Sequence, residues 1–308
     1  MSELKYVFGP VPSRRLGRSL GISPIPQKTC NYSCIYCQLG RTNHMTNKRQ
    51  EFFPLEDILA EFEQYLKDSD KFDVVSVVGE GEPTLYSRLG ELIDGLKART
   101  DKPVVVITHG ALMGDEGVRA DLMHADIVMP SLDSCDEKIW HRVDRPHGHL
   151  HYDEAYEGLV QFSHEYKGQL FMEIMLMDGI NDDPESLQGF KKALSRIRYD
   201  KVYINTPVRP PVESDVSVSK PETIAAATEL LDGISIDALA AGGFFSEITD
   251  DYEAIKSIIG RHPMNQHEIG GFLDSRENPD PEALIARLRE DPGVVHTEYK
   301  GYVTYRLK

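Results

Sequence analysis

The 308-residue sequence has no run approaching the ~20 consecutive apolar residues that cross a bilayer. Its start, Met1-Ser2-Glu3-Leu4-Lys5-Tyr6, lacks the basic segment and apolar stretch of a secretion signal. No membrane association is expected, and a cytoplasmic location is the default. Positive charge is in deficit. There are 34 Lys and Arg against 50 Asp and Glu, a formal net charge of -16. So acidic a surface repels phosphate backbones, which argues against a general nucleic-acid binder while leaving room for a local basic patch. Cysteine is also scarce, with 4 residues in the whole chain. In a cytosolic chain of this size, so few cysteines point to metal binding or catalysis rather than to disulfides.

What is present is an ordinary globular composition, 27% charged and 40% hydrophobic, in a chain long enough for one large domain and a small one. Short apolar runs alternate with helical periodicity. Strands are expected at 19–25, 73–78, 104–108, 126–130, 171–177 and 201–206. Helices are expected at 54–67, 85–98, 114–123, 153–166, 184–197 and 221–231. About six β/α repeats predict an α/β fold, a partial (β/α)6 TIM-like barrel with its chemistry at the carboxyl ends of the strands. Past about residue 249 the pattern changes. Helices at 252–259, 266–273 and 281–289 precede an alternating hairpin at 294–305 that turns on Lys300-Gly301. That order is winged-helix-like and divides the chain into 1–248 and 249–308.

Three of the four cysteines fall within eight residues, Cys30, Cys34 and Cys37, spaced C-x3-C-x2-C after the first expected strand. Three thiolates on one tight loop can each take one corner of a [4Fe–4S] cluster, leaving the fourth iron open to a small molecule. Structural zinc is the plainer alternative, but it takes four protein ligands, usually as two separated pairs. No second pair stands nearby, and Cys135 alone would be a distant fourth ligand.

This triplet, with Tyr36 in the aromatic position before the last cysteine, resembles the signature of the radical S-adenosylmethionine (radical SAM) superfamily. The likeness runs from about residue 5 to 240. It implies a [4Fe–4S] cluster on Cys30, Cys34 and Cys37, with S-adenosylmethionine chelating the open iron. It further implies reductive cleavage to a 5′-deoxyadenosyl radical that abstracts hydrogen from a substrate. Gly81, Glu82 and Pro83 of Gly79-Glu80-Gly81-Glu82-Pro83 resemble the motif that binds the cofactor's amino group, with Glu80 replacing the motif's first glycine. Ser131 and Asp133 resemble the S-x-D segment that reaches the ribose, although both types also suit a helix N-cap. Tyr36 joins the cofactor-binding set, and Asn205 is placed at the adenine. Met175-Leu176-Met177-Asp178-Gly179-Ile180-Asn181-Asp182 matches a segment near the adenosyl group. The pattern is closest to the Fe–S oxidoreductase branch, distantly related to the molybdenum-cofactor, nitrogenase-cofactor and wybutosine radical enzymes.

Other residues are weighed on their chemistry. Cys135 would be a hydrogen-returning thiol or simply a semi-buried side chain. Arg14, Arg15 and Arg18, and Arg142 with Arg145, form two arginine groups suited to an anion or to surface ion pairs, and Arg145 is the catalytic candidate. His109 borders the expected site. His141, His147, His149 and His151 share one loop, more in keeping with a polar lid than with a metal site. One remaining cysteine cannot hold an auxiliary cluster. The expected partners are a reductase or a flavodoxin or ferredoxin electron donor, and a substrate that is RNA, a peptide or protein, or a small molecule. From Asp251 on the chain carries 8 Lys/Arg against 10 Asp/Glu, which weakens RNA. A reading from another class is a non-catalytic, cluster- or zinc-dependent winged-helix regulator.

Overall fold

A computed structural model describes residues 4–236, 243–246 and 248–308. Strands β1 (Val7–Ser13) and β2 (Gly17–Ile22) form an antiparallel hairpin. Two short strands, β3 (Thr29–Cys30) and β4 (His44–Met45), pair within the loop that follows. From β2 the main sheet continues in parallel through β5 (Val74–Val77), β6 (Val104–Thr108), β7 (Ile127–Pro130), β8 (Gln169–Met175), β9 (Lys201–Asn205) and the short β10 (Ile234–Ser235). Helices return the chain between strands: α1 (Leu55–Asp68), α2 (Leu89–Lys97), α3 (Glu116–Leu122), the pair α4 (Glu137–Val143) and α5 (Tyr152–Glu165), α6 (Pro184–Leu194) and α7 (Pro221–Leu230).

Local sequence explains these elements. In α1, Leu55, Ile58, Leu59, Phe62 and Tyr65 recur at helical spacing and are all buried. Asp183 caps α6 through the Glu185 and Ser186 amides, and Pro184 occupies the first turn. Val74–Val77 is buried at every position, as a parallel strand covered on both faces must be. Side chains alternate between two cores. Val104 and Val106 of β6 pack in the main core with the helices. Val105 and Ile107 turn the other way, towards Ile127, Met129, Phe171 and Tyr203. That second cluster also gathers Val74 of β5 and, from opposite margins of the sheet, Leu16 and Ile236. The sheet therefore curls on itself without closing, and β1 and β10 remain as edges.

The hairpin strand β1 and helix α4 were not expected from the sequence. β1 is short and proline-bearing (VFGPVPS), and α4 lies in a stretch rich in His and Arg.

The C-terminal segment runs α8 (Asp251–Ile259), β11 (Met264–Asn265), α9 (Gln266–Ser275), α10 (Pro281–Glu290), β12 (Val294–Tyr299) and β13 (Tyr302–Leu307). The three strands make a sheet in the order β11-β13-β12. Its buried core, which includes Ile255, Ile259, Phe272, Leu273 and Tyr305, also takes in Phe8 and Val11 of β1. The segment is thus packed onto the first strand of the chain. Among the described residues no helix is long and apolar enough to cross a membrane.

Candidate functional site

Period-two alternation builds the site. In β8 the inward residue Phe171 fills the interior core, whereas Glu173 and Met175, further along on the same side, line a cavity. In β9 the same holds for Tyr203 and Asn205. This cavity, about 720 Å³, lies at the carboxyl ends of the parallel strands. Cys30, Cys34, Cys37, Tyr36, Gly81, Glu82, Ser131 and Asn205 all line it, so one wall collects most of the residues singled out by sequence.

The cysteine loop is pinned on two sides. The Lys28 amide donates to the Glu80 carbonyl at 2.6 Å and the Glu82 amide to the Thr29 carbonyl at 3.2 Å. This contact depends on glycine, because a Cβ on Gly81 would sit 1.7 Å from the Thr29 carbonyl oxygen. On the other side the Ser33 and Ile35 amides donate, each at 2.9 Å, to the carbonyls of Asp144 and Val143 at the end of α4. α4 is therefore a support for the loop that sequence reasoning missed.

Glu82 is buried and its carboxylate is fully engaged. One oxygen accepts from the Thr84 amide at 3.0 Å and from the Thr84 and Thr108 hydroxyls at 2.6 and 2.5 Å. The other accepts from the His109 amide at 3.1 Å and lies 3.2 Å from His109 Nε2. His109 stacks on Tyr32 with ring centroids 3.8 Å apart, and its Nε2 is 3.6 Å from Cys30 Sγ. Because Nδ1 accepts from the Ala111 amide, the proton of the neutral ring resides on Nε2, facing the thiol and the carboxylate. Burial lowers the His109 pKa.

Asp133 does not line the large cavity. One of its oxygens accepts from the Tyr36 hydroxyl and the other from the Met175 amide at 2.7 Å. Burial raises its pKa to about 6. Pro83 is buried at the start of a short 3-10 turn (Pro83–Leu85) capped by Glu82, below the cavity surface. Cys135 lies elsewhere, against Gly189 of α6, where burial raises its pKa to about 11. Arg145 is tied to Glu213, which also holds Arg41, and is not part of the cavity wall. Of the two arginine groups, Arg14 and Arg15 line the cavity, and Arg15 forms an ion pair there with Glu173, which also accepts from Asn205 Nδ2 at 3.1 Å.

A family model described as the radical SAM superfamily matches residues 25–189, more than half of the chain. The chain belongs to the radical SAM superfamily. Its sequence is 38% identical to a UPF0026 protein of Methanocaldococcus jannaschii over 98% of this chain and 96% of that protein. Among solved structures the fold is similar to TYW1 with a lysine–pyruvate adduct bound (20% identity, TM-score 0.50, 70% of this chain and 73% of that one). It is also similar to anSMEcpe with bound AdoMet (18% identity, TM-score 0.51, 70% of this chain and 59% of that one).

This radical SAM chain is an enzyme of a family that uses a [4Fe–4S] cluster and S-adenosylmethionine. Its donor set fits the cluster. Three soft thiols share one cavity wall, and the fourth cysteine is remote from them. Among the described residues, no three His, Cys, Asp or Glu side chains converge on a single metal ion, which a cluster with one thiolate per iron does not require. Burial raises all three thiol pKa values, and Asp144, 3.6 Å from Cys34 Sγ, raises that thiol further. The positive charge of bound iron would reverse this preference and hold the thiolates deprotonated.

Sequence reasoning missed the far wall of the cavity. It comes from the C-terminal segment: His262, His267, Glu268, Gly271 and Phe272 face the same space as the cysteines. Arg209, in the loop after β9, clamps this wall. It pairs with Glu268 at 3.1 and 3.2 Å and donates to His262 Nε2 at 2.7 Å. No short motif signals this wall, since its residues belong to an ordinary capped helix and the turn before it.

Proposed function

We propose that this chain binds a [4Fe–4S] cluster through Cys30, Cys34 and Cys37 and cleaves S-adenosylmethionine to generate a 5′-deoxyadenosyl radical for hydrogen abstraction. The observation that carries this reading is the common wall shared by the cysteine triplet, Gly81, Ser131 and Asn205 in one large cavity. When bound, the cluster would supply the open iron and the electron for cleavage of the sulfonium.

The protein's own contribution is position and exclusion of water. Gly81 lets the backbone of the second strand's loop meet the cysteine loop. Glu82 anchors His109 and the turn at 108–110, and would present backbone rather than a free carboxylate to the cofactor. Ser131 and Asn205 offer polar groups to ribose and adenine, and Asp133 acts through Tyr36. Cys135 and Arg145 take no part in this chemistry, because neither faces the chamber.

The fold fits a partial (β/α)6 barrel carrying a winged-helix-like unit, which the α8-β11-α9-α10-β12-β13 order supports. That unit forms a wall of the chamber, which favours an enzyme over a free-standing regulator. A chamber of about 720 Å³ is within the roughly 300–1,000 Å³ range that holds one small-ligand complex. The substrate, whether RNA, peptide or small molecule, would thus present one residue-sized group to the cofactor.

The test is anoxic reconstitution with iron and sulfide analysis and assay of 5′-deoxyadenosine from S-adenosylmethionine and dithionite. About four irons per chain and product formation are expected, both lost in Cys34→Ala. Stoichiometric zinc without an iron chromophore would sink the proposal.

A further inference from the structure

The charge of this chain is unevenly placed. Residues 4–50 contain eight Lys and Arg and no Asp or Glu, in a chain of net charge -16. That acid-free stretch includes the whole cysteine loop. Several of its cations are structural: Arg15 pairs with Glu173, Arg18 with Asp73, and Arg49 with Asp121. Of the rest, Lys28, Arg41 and Lys48 flank the cysteines in sequence, while Lys5 lies over the Tyr6 and Phe53 rings. The Lys28 ammonium and the Arg306 guanidinium both approach Gly40, with 3.5 and 3.8 Å to a Cβ placed there, and both act electrostatically on Cys37. Arg306 reaches this point from β13, so the C-terminal segment completes the basic rim. Arg41 is 69% exposed despite its contact with Glu213, and Lys48 is exposed. Met45 is 41% exposed and pairs through its backbone with Cys30. An exposed apolar side chain thus sits on the strand paired with Cys30, in a stretch of chain that also carries Lys28, Arg41 and Lys48.

We propose that this face, centred on Met45 and bordered by Lys28, Arg41, Lys48 and Arg306, is the docking surface for an acidic one-electron carrier protein. The inference rests on the proposed function, since only a cluster on these cysteines has use for an electron delivered here. Charge complementarity identifies the partner. Elsewhere the acidic surface repels an acidic carrier, so long-range attraction steers it to this face. The apolar centre offers a contact that excludes water at the closest approach. One electron leaves the reduced carrier and enters the iron–sulfur group, and no atom is transferred. RNA is the less favoured occupant, because its affinity grows with the number of phosphates neutralised and this rim offers four cations on a chain of net charge -16.

The test uses the full chain and a reduced acidic flavodoxin, with Arg41→Glu/Lys48→Glu as the variant. Lys48→Glu alone is the milder second variant, and Lys191→Glu on α6 the distant control. Flavodoxin binding is titrated on chain without iron, and 5′-deoxyadenosine formation is driven in parallel by flavodoxin or by dithionite. The expected result is a Kd for flavodoxin raised on the order of tenfold or more in the double variant. Flavodoxin-driven formation falls in step, dithionite-driven formation is unchanged, and Lys191→Glu matches the unaltered chain. Unchanged flavodoxin binding and unchanged flavodoxin-driven rates in the double variant would overturn the docking surface. So would loss of affinity for total tRNA without loss for flavodoxin. Failure of dithionite-driven cleavage in the unaltered chain would instead strike the proposed function, leaving the binding titration to judge the surface.

Discussion

His262 shows how a single residue's state follows from its neighbours. Arginine has donors and no acceptor, so the contact from Arg209 fixes His262 Nε2 as the acceptor and puts the ring proton on Nδ1. Burial, then Arg209 and Arg15, push its pKa well below the usual histidine range. The folded chain therefore binds fewer protons at this ring than the unfolded chain does. Stability should be lost as pH falls below about 6.5, where the unfolded ring begins to charge. Denaturant midpoints of the unaltered chain and of His262→Gln, taken between pH 7.5 and 5, should diverge, with the unaltered chain losing more. Parallel curves would mean that the imidazole charges freely in the folded state.

At the scale of elements, the cysteine loop is held by its neighbours rather than by itself. β3 and β4 have only two residues each, so their pairing is weak support. The loop depends on the Gly81 contact and on the end of α4. Gly81→Ala drives a Cβ into a backbone carbonyl that cannot rotate away. Overpacking of this kind costs about 1–3 kcal/mol, and here the displaced segment is the one bearing the thiols. The expected outcome is a lower Tm together with iron loading well below that of the unaltered chain, read on the same preparation. Normal iron loading would show that the loop tolerates a shifted Thr29. The motif that contains Gly81 was legible from sequence, but the contact of its glycine was not. Thr29 is remote in sequence, and only the parallel pairing of β2 with β5 brings the two loops together.

For the whole molecule, the shared core of β1 and the C-terminal helices sets the cooperativity. Phe8 and Val11 are buried with Ile255, Ile258 and Phe272, and Arg261 lies over the Phe8 ring at 5.1 Å. Large-to-small changes in such cores cost about 3–5 kcal/mol for phenylalanine. Phe8→Ala should therefore destabilise the C-terminal segment although it lies in the first strand. Hydrogen exchange should show faster opening of α8 and α9. Protection unchanged in those helices would mean that the two cores are energetically separate.

The sequence alone determined the periodic elements and the chemical identity of the cysteine loop. Six strands and their return helices were legible, because apolar runs and helical spacing are local signals that burial then satisfies. The thiol triplet was legible because its three ligands occupy one short stretch of chain. Tertiary structure decided what no local pattern encodes. It paired Arg15 with Glu173, withdrew Cys135 and Arg145 from the chamber, engaged every oxygen of Glu82 and Asp133, and brought the C-terminal helices across the cavity. Each of these outcomes depends on residues far apart in sequence meeting at a distance of a few ångströms, and only the curl of the sheet and the packing of β1 fix those meetings.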